Sequence, residues 1–269
     1  MIFKRIPLDE KYDNVYLDAY IADPTENFTR NAILVIPGGG YHNVCSNREG
    51  EPIAMAFMPH GYNAFVLSYS VSGQKTFPGQ LIEASLAMKH IKDNAKEYNI
   101  NPEKVFVTGF SAGGHLAASL GTMWHLDEIY KETGIDYGYN KPAGMILGYP
   151  VISGDPSLSH PGSFQNLLGK ENPTSEELKK VSLENCVDER SVPMYLMHTS
   201  NDGVVPVKNA LVIANAYAEA GKTFEMHIFP DAPHGIALGN QITAGTVEKF
   251  NNPHIASWIE QAANWAKNL

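Results

Sequence analysis

Six short apolar runs rich in β-branched residues recur along the chain: Ala32 to Ile36, Ala64 to Tyr69, Lys104 to Thr108, Met145 to Val151, Pro193 to His198 and Phe224 to Phe229. Runs with so little polar alternation predict strands buried on both faces. Upstream, Val15, Leu17, Ala19 and Ile21 alternate with polar or aromatic neighbours, a pattern that predicts a half-exposed antiparallel edge strand. Between the runs the period changes. Leu81, Ala84, Met88, Ile91, Ala95 and Tyr98 follow at spacings of 3, 4, 3, 4 and 3, one apolar face of a helix. A second helix is predicted through Val207, Leu211, Ala214 and Ala218, with Pro206 near its start and Gly221 past its end. A third closes the chain on Ile255, Trp258, Ile259, Ala262, Trp265 and Ala266. Strands alternating with helices require crossover connections, so the expected fold class is α/β. It is a doubly wound, mostly parallel sheet with helices on both faces and an antiparallel N-terminal strand at its edge. No repeat and no Gly/Ser or Pro linker divides the sequence, which predicts one domain over residues 1–269. Residues 153–191 are long and mixed in pattern, and they are expected to form a small cap-like insertion.

Composition narrows the choice of partner. Of 269 residues, 29 are acidic and 20 basic, giving a formal charge of −9, and the basic clusters are no longer than pairs such as Lys179-Lys180. A nucleic-acid partner is not expected. No apolar run approaches the roughly 20 residues of a membrane helix, and the N-terminal stretch is charged where a secretory signal is apolar. The expectation is a cytoplasmic protein with no membrane partner. Cys45 and Cys186 stand 141 positions apart, outside any metal-spaced pattern, and are expected to be reduced thiols. The absence of H-E-x-x-H and of a phosphate-binding glycine signature leads to no expected metal or other cofactor. A homo-oligomer is compatible with the sequence, which does not set the oligomeric state.

The chemistry concentrates at three places. Gly109-Phe110-Ser111-Ala112-Gly113-Gly114 follows a strand run and precedes the small-residue segment His115 to Leu120. A serine on so sharp a strand-to-helix turn adopts a strained backbone, and the flanking glycines allow close chain approach. Ser111 is therefore the candidate nucleophile. A serine hydroxyl needs an imidazole to take its proton and a carboxylate to hold that imidazole. Functional loops leave the carboxyl ends of parallel strands. Asp202, in Asn201-Asp202-Gly203, and His234, in Pro233-His234-Gly235, each directly follow a predicted strand and are assigned as acid and base. Asp202-Gly203 also suits a plain turn, and Asp231 competes as acid but lies only three residues before the base. The third place is Pro37-Gly38-Gly39-Gly40-Tyr41, after the strand ending at Ile36. Its glycines can turn amides inward, so Gly39, Gly40 and Ala112 are assigned to an oxyanion hole. Tyr41, His42, Arg48 and Glu49 either line a polar pocket or brace the loop. Phe164 either roofs an acyl pocket or packs in the core.

The order Ser111, Asp202, His234, the Gly109 to Gly113 turn and the Pro37 to Tyr41 loop together resemble the esterase/lipase branch of the α/β-hydrolases. Within it the chain is similar to acetyl xylan esterase-like and feruloyl/acetyl esterase proteins acting on acylated sugars, from about Val15 to the final helix. The resemblance implies a carboxylester hydrolase with a covalent acyl-enzyme, no metal, and a short-chain acyl ester or acetylated sugar as its small-molecule substrate. Many relatives open the glycine loop with His-Gly-Gly-Gly; here Pro37 replaces the histidine. Two rival readings stand beside this one. A peptidase or amidase, formamidase-like or prolyl-oligopeptidase-like, would use the same triad, because the motif reports acyl transfer and not the leaving group. A non-catalytic binding protein on the same fold is the other.

Overall fold

The computed structural model describes residues 1–269. Eight strands form one sheet in the order β1-β2-β4-β3-β5-β6-β7-β8: Ile2–Pro7, Tyr16–Ile21, Tyr62–Ser68, Arg30–Ile36, Ile100–Phe110, Met145–Gly148, Met194–Thr199 and Phe224–Phe229. The pairs β1/β2 and β2/β4 are antiparallel, and every pairing from β4 to β8 is parallel. Eleven helices connect and flank the strands. They are α1 (Ser46–Glu49), α2 (Glu51–Phe57), α3 (Gly79–Asp93), α4 (Ser111–Met123), α5 (Asp127–Thr133) and α6 (Pro161–Leu168), then α7 (Ser175–Lys180), α8 (Lys208–Glu219), α9 (Gln241–Ala244), α10 (Pro253–Ala256) and α11 (Trp258–Lys267). None is long and apolar enough to cross a membrane.

Side-chain alternation along the parallel strands divides the interior into two cores. Ala32, Leu34, Val105, Val107, Met145 and Leu196 point to one face and pack with α3, α4 and α8. Ile33, Val35, Phe106, Ile146, Tyr195 and Met197 point to the other, against α2, α10 and α11. Both faces are covered, which is why these strands read as nearly continuous apolar runs.

The N-terminal antiparallel strand is present, but the edge lies one strand further out. β1 pairs with β2 from Ile2↔Ile21 to Pro7↔Tyr16 and leaves Ile2 and Phe3 half exposed. A strand wet on both faces has no apolar period to betray it. β2 is consequently buried, and its Asp18 carboxylate is met by both guanidinium nitrogens of Arg5, at 2.7 and 2.8 Å. α3 ends at Asp93, short of the predicted Tyr98, although buried Tyr98 continues the apolar face from a turn. In α8 the predicted period is right and its phase is wrong. Ala210, Ile213, Ala214 and Tyr217 face inward, while Leu211 is exposed. Polar anchors set that phase: Asn209 receives the amides of Ile152 and Ser153, and the Tyr217 hydroxyl donates to the Val192 carbonyl.

Residues 153–191 carry α6 and α7. Phe164, Leu167, Val181 and Leu183 from this stretch are buried in the same core as α3 and α4.

Candidate active site

β5 runs straight into α4, and Ser111 sits at the corner with φ of +53°. A left-handed non-glycine residue of this kind is strained by roughly 1–3 kcal/mol and is held by its surroundings. The adjoining glycines let that turn close. A Cβ on Gly109 would lie 2.2 Å from the Gly113 carbonyl oxygen, and one on Gly113 would lie 2.2 Å from that of Ile36. No side chain fits at either position.

The loops after β7 and β8 reach the same corner. His234 Nε2 lies 2.9 Å from Ser111 Oγ, and His234 Nδ1 lies 2.7 Å from Asp202 Oδ2. The three residues assigned from sequence are therefore one hydrogen-bonded chain. Asp202 Oδ1 accepts the Val204 and Val205 amides at 2.9 Å each, and His198 Nε2 stands 3.5 Å from Oδ2. Burial alone would raise the Asp202 pKa; the bonds from His198, His234 and Val204, with the charge of His234, hold it far below the usual carboxylate range instead. An imidazole meeting an ionised carboxylate at Nδ1 keeps its proton there and presents Nε2 to the serine.

On the opposite side, the loop after β3 turns through Gly39 (φ +127°) and Gly40 (φ +64°). Its carbonyls are occupied. Gly39 O accepts the His42 and Asn43 amides, and Gly40 O accepts Asn166 Nδ2 at 2.8 Å. The Gly39 and Gly40 amides have no acceptor within the chain. Ala112 stands in the first turn of α4, where amides lack intrahelical partners and the helix dipole is positive. A fixed set of N–H donors thus borders the serine. At the head of the glycine loop, Pro37 uses its carbonyl to accept the Tyr69 hydroxyl at 2.8 Å. Tyr41 braces the loop from below, its hydroxyl 2.9 Å from His115 Nδ1 while His115 Nε2 donates to the Val181 carbonyl. Burial pushes the His115 pKa down to about 4, so this ring is a neutral structural link.

Two pocket assignments are corrected here. Tyr41 and Phe164 are each only 1% exposed and lie behind the cleft wall, Phe164 edge-on against His115. Of the alternatives open for each, Tyr41 braces the glycine loop rather than lining a polar pocket, and Phe164 packs in the core rather than roofing an acyl pocket. His42 does line the cleft, a cavity of about 420 Å³ shared with Asn43, Arg48, His160, Asn166, Ser111 and His234. Glu49 borders the same cavity but chiefly braces it: its side chain is buried and bonded on both oxygens. Two residues near the site carried no distinct sequence signal. Tyr149 packs edge-on to His234 with ring centroids 5.1 Å apart. His160 faces the cleft from the start of α6. His198, at the end of the predicted strand run before Asp202 and so a neighbour of the site rather than its base, stands 3.5 Å from Asp202 Oδ2. Cys45 and Cys186 are free thiols, and burial pushes Cys186 up to about 11.

Comparison with known proteins agrees with this architecture. The BD-FAE family model matches residues 17–217, a span that ends before His234. Endo-1,4-beta-xylanase B of Butyrivibrio fibrisolvens is 40% identical over 220 residues, which cover 80% of this chain and 34% of that protein. An acetylxylan esterase of Xylanibacter ruminicola is 32% identical over 248 residues, 91% of this chain and 47% of that one. The chain thus spans less than half the length of these two curated relatives. Among solved structures, an acetyl ester-xyloside bifunctional hydrolase from Caldicellulosiruptor lactoaceticus superposes with a TM-score of 0.82 at 33% identity, covering 98% of this chain and 96% of that one.

Proposed function

The chain belongs to the BD-FAE family, and from that membership we propose that it is a serine carboxylester hydrolase removing short acyl groups, acetyl above all, from sugars or xylo-oligosaccharides. It is an α/β-hydrolase of the esterase class; the triad, the acyl group and the alcohol are the proposed part. Ser111 Oγ attacks the ester carbonyl carbon as its proton passes to His234 Nε2. The carbonyl oxygen becomes an oxyanion held by the Gly39, Gly40 and Ala112 amides, each worth about 10²- to 10³-fold in rate. Collapse breaks the bond to the alcohol oxygen, which takes the proton from His234. Water then adds to the acyl-enzyme, giving its proton to His234, and the acid leaves as Ser111 recovers its hydrogen. Asp202 orients the imidazole throughout. The observation that carries this reading is the continuous contact from Asp202 through His234 to Ser111.

Cleft chemistry supports the substrate class. The wall beside the glycine loop is polar, with His42, Asn43, Arg48, His160 and Asn166, and offers no apolar channel for a long chain. We take residues 153–191, which supply His160 and Asn166, as a small cap too short to act as a lipase lid. The proton for the leaving oxygen comes from His234, so the alcohol must lie on its side. A second groove of about 690 Å³ opens there and is lined by Asn201, Asp231, Glu248, Lys249 and Asn251, groups suited to a hydroxylated alcohol. The names of the two curated relatives point the same way.

The test is hydrolysis of p-nitrophenyl acetate, butyrate and octanoate and of acetylated xylo-oligosaccharides by the wild-type chain and Ser111→Ala. The expected rate is highest on acetate and falls by at least about 10³-fold in the variant. An unchanged rate in Ser111→Ala removes the triad, and activity rising toward octanoate removes the short-acyl reading.

A further inference from the structure

We propose that Glu49 is a positioning residue for this reaction: a second buried carboxylate that locks the glycine loop to the histidine loop and places negative charge beside His234. The inference rests on the serine-esterase reading above. Glu49 closes α1 with its side chain buried, and its two oxygens serve two different loops. Oε2 accepts the Gly38 amide at 2.8 Å. That bond fixes the Pro37–Gly38 peptide, one before the peptide that carries the Gly39 amide assigned to the oxyanion. Oε1 accepts the Tyr149 hydroxyl at 2.8 Å, and the Tyr149 oxygen in turn accepts the Ala237 amide at 3.0 Å, three residues beyond His234. Tyr149 itself has φ of +36°, a left-handed backbone held in place by this double hydrogen bond. The neighbouring Arg48 adds a parallel tie by donating to the Gly235 carbonyl. One short helix therefore grips the backbone on both sides of the nucleophile.

The charge is close to the base. A Cβ placed on Gly235 would lie 3.9 Å from Glu49 Oε1, so the carboxylate flanks the His234–Gly235 peptide. Both hydrogen-bonding partners are donors, an N–H and an O–H, and the ionised carboxylate satisfies both without needing an acceptor of its own. Burial pushes the Glu49 pKa upward, against the bonds from Gly38 and Tyr149 and the positive fields of His234 and Arg48. Around His234 stand Asp202 from the β7 loop, Ser111 from α4, Tyr149 after β6, His160 ahead of α6, and Arg48 and Glu49 from α1. Glu49 and Asp202 are the anions of that set and Arg48 the cation, while burial and His234 lower the His160 pKa and keep it neutral. An imidazolium forms each time His234 takes a proton, and a second anion beside it favours that form.

The experiment compares Glu49→Gln and Tyr149→Phe with the wild-type full chain, using p-nitrophenyl acetate from about pH 5 to 9 with the folded fraction followed by circular dichroism. For Glu49→Gln the expected result is a kcat about 10- to 100-fold lower, an unchanged KM, and an acid limb of kcat/KM displaced to lower pH, because loss of the anion lets His234 shed its proton sooner. Tyr149→Phe keeps the anion and cuts the tie to Ala237, so kcat falls while the acid limb stays. Wild-type kcat in Glu49→Gln overturns the proposal, and so does a loss that merely follows the unfolded fraction with the limb unmoved. If Glu49→Gln does not fold, Tyr149→Phe decides: lower kcat at unchanged KM sustains the proposal, and wild-type kcat removes it. Ser111→Ala, measured alongside, reports separately on the esterase reading.

Discussion

Two buried carboxylates lie near His234, and the chain handles them differently. Asp202 lies in a tight turn where Val204 and Val205 donate to one oxygen while His234 and His198 stand at the other. Glu49 has two donors, Gly38 and Tyr149, from separate parts of the fold. Burial penalises both anions. At Asp202 the converging donors and the histidine charge outweigh it and the pKa falls; at Glu49 they do not and the pKa rises. Burial therefore does not by itself set the direction in which an interior acid's pKa moves. The number and nature of the donors facing it do.

The sharpest way to break this comparison is Asp202→Asn. An amide at that position cannot serve as acceptor for the Nδ1 proton in the same way, so His234 is freed to adopt the tautomer that leaves no base facing Ser111. We expect kcat on p-nitrophenyl acetate to fall by about 10⁴-fold with the fold intact, well beyond the effect expected for Glu49→Gln. Equal losses in the two variants would mean that both acids do the same work, and the division drawn here between orienting and bracing would be lost.

Stability against pH separates the two acids by sign. Asp202 has its folded pKa depressed below the ordinary aspartate value of 3.8. Its contribution is present above that value and disappears as pH falls through the folded pKa. Glu49 has its folded pKa raised above 4.5, so its relative contribution is greatest below that value and is lost as pH rises through the folded pKa. Urea unfolding from about pH 3 to 8 should show the deficit of Asp202→Asn shrinking toward the acid end. The deficit of Glu49→Gln should shrink toward the neutral end. Parallel profiles would show that the two sites share one electrostatic environment.

The same contrast explains what could be read before the structure. Asp202 announces itself because its supports are local: the turn, the Val204 and Val205 amides and His198 all lie within four residues of it. Ser111 is equally legible, since Gly109 and Gly113 are dictated by backbone approach within one turn. The buried parallel strands appear as apolar runs because both their faces are covered. Glu49 depends on Tyr149, 100 positions away, and Tyr149 reads only as one more apolar residue after β6. β1 has no apolar face to detect, and the phase of α8 follows Asn209 and Tyr217, whose polar atoms are satisfied by distant backbone. Tyr41 stands out by its place after the glycine loop and Phe164 by its apolar neighbours, but position along the chain does not say on which side of a wall a side chain falls.

A third carboxylate completes the series at its exposed end. Glu177 in α7 forms a capping box with Thr174: the Thr174 Oγ1 accepts the Glu177 amide, and the Glu177 carboxylate accepts the Thr174 amide at 3.0 Å. Lys170 lies against the same carboxylate. The side-chain bond to Lys170 and the amide of Thr174 lower the Glu177 pKa to about 2, yet water competes for every one of these contacts. Donors comparable to those that hold the buried acids should count for little here. Thr174→Ala removes the cap, for which about 1 kcal/mol is typical, and should lower Tm by about 2–4 °C while leaving kcat on p-nitrophenyl acetate unchanged. Differential scanning calorimetry beside the ester assay checks both numbers. A fall in kcat would show that α7 reaches the cleft through Phe164 and His115, and the exposed end of the series would then belong to the site.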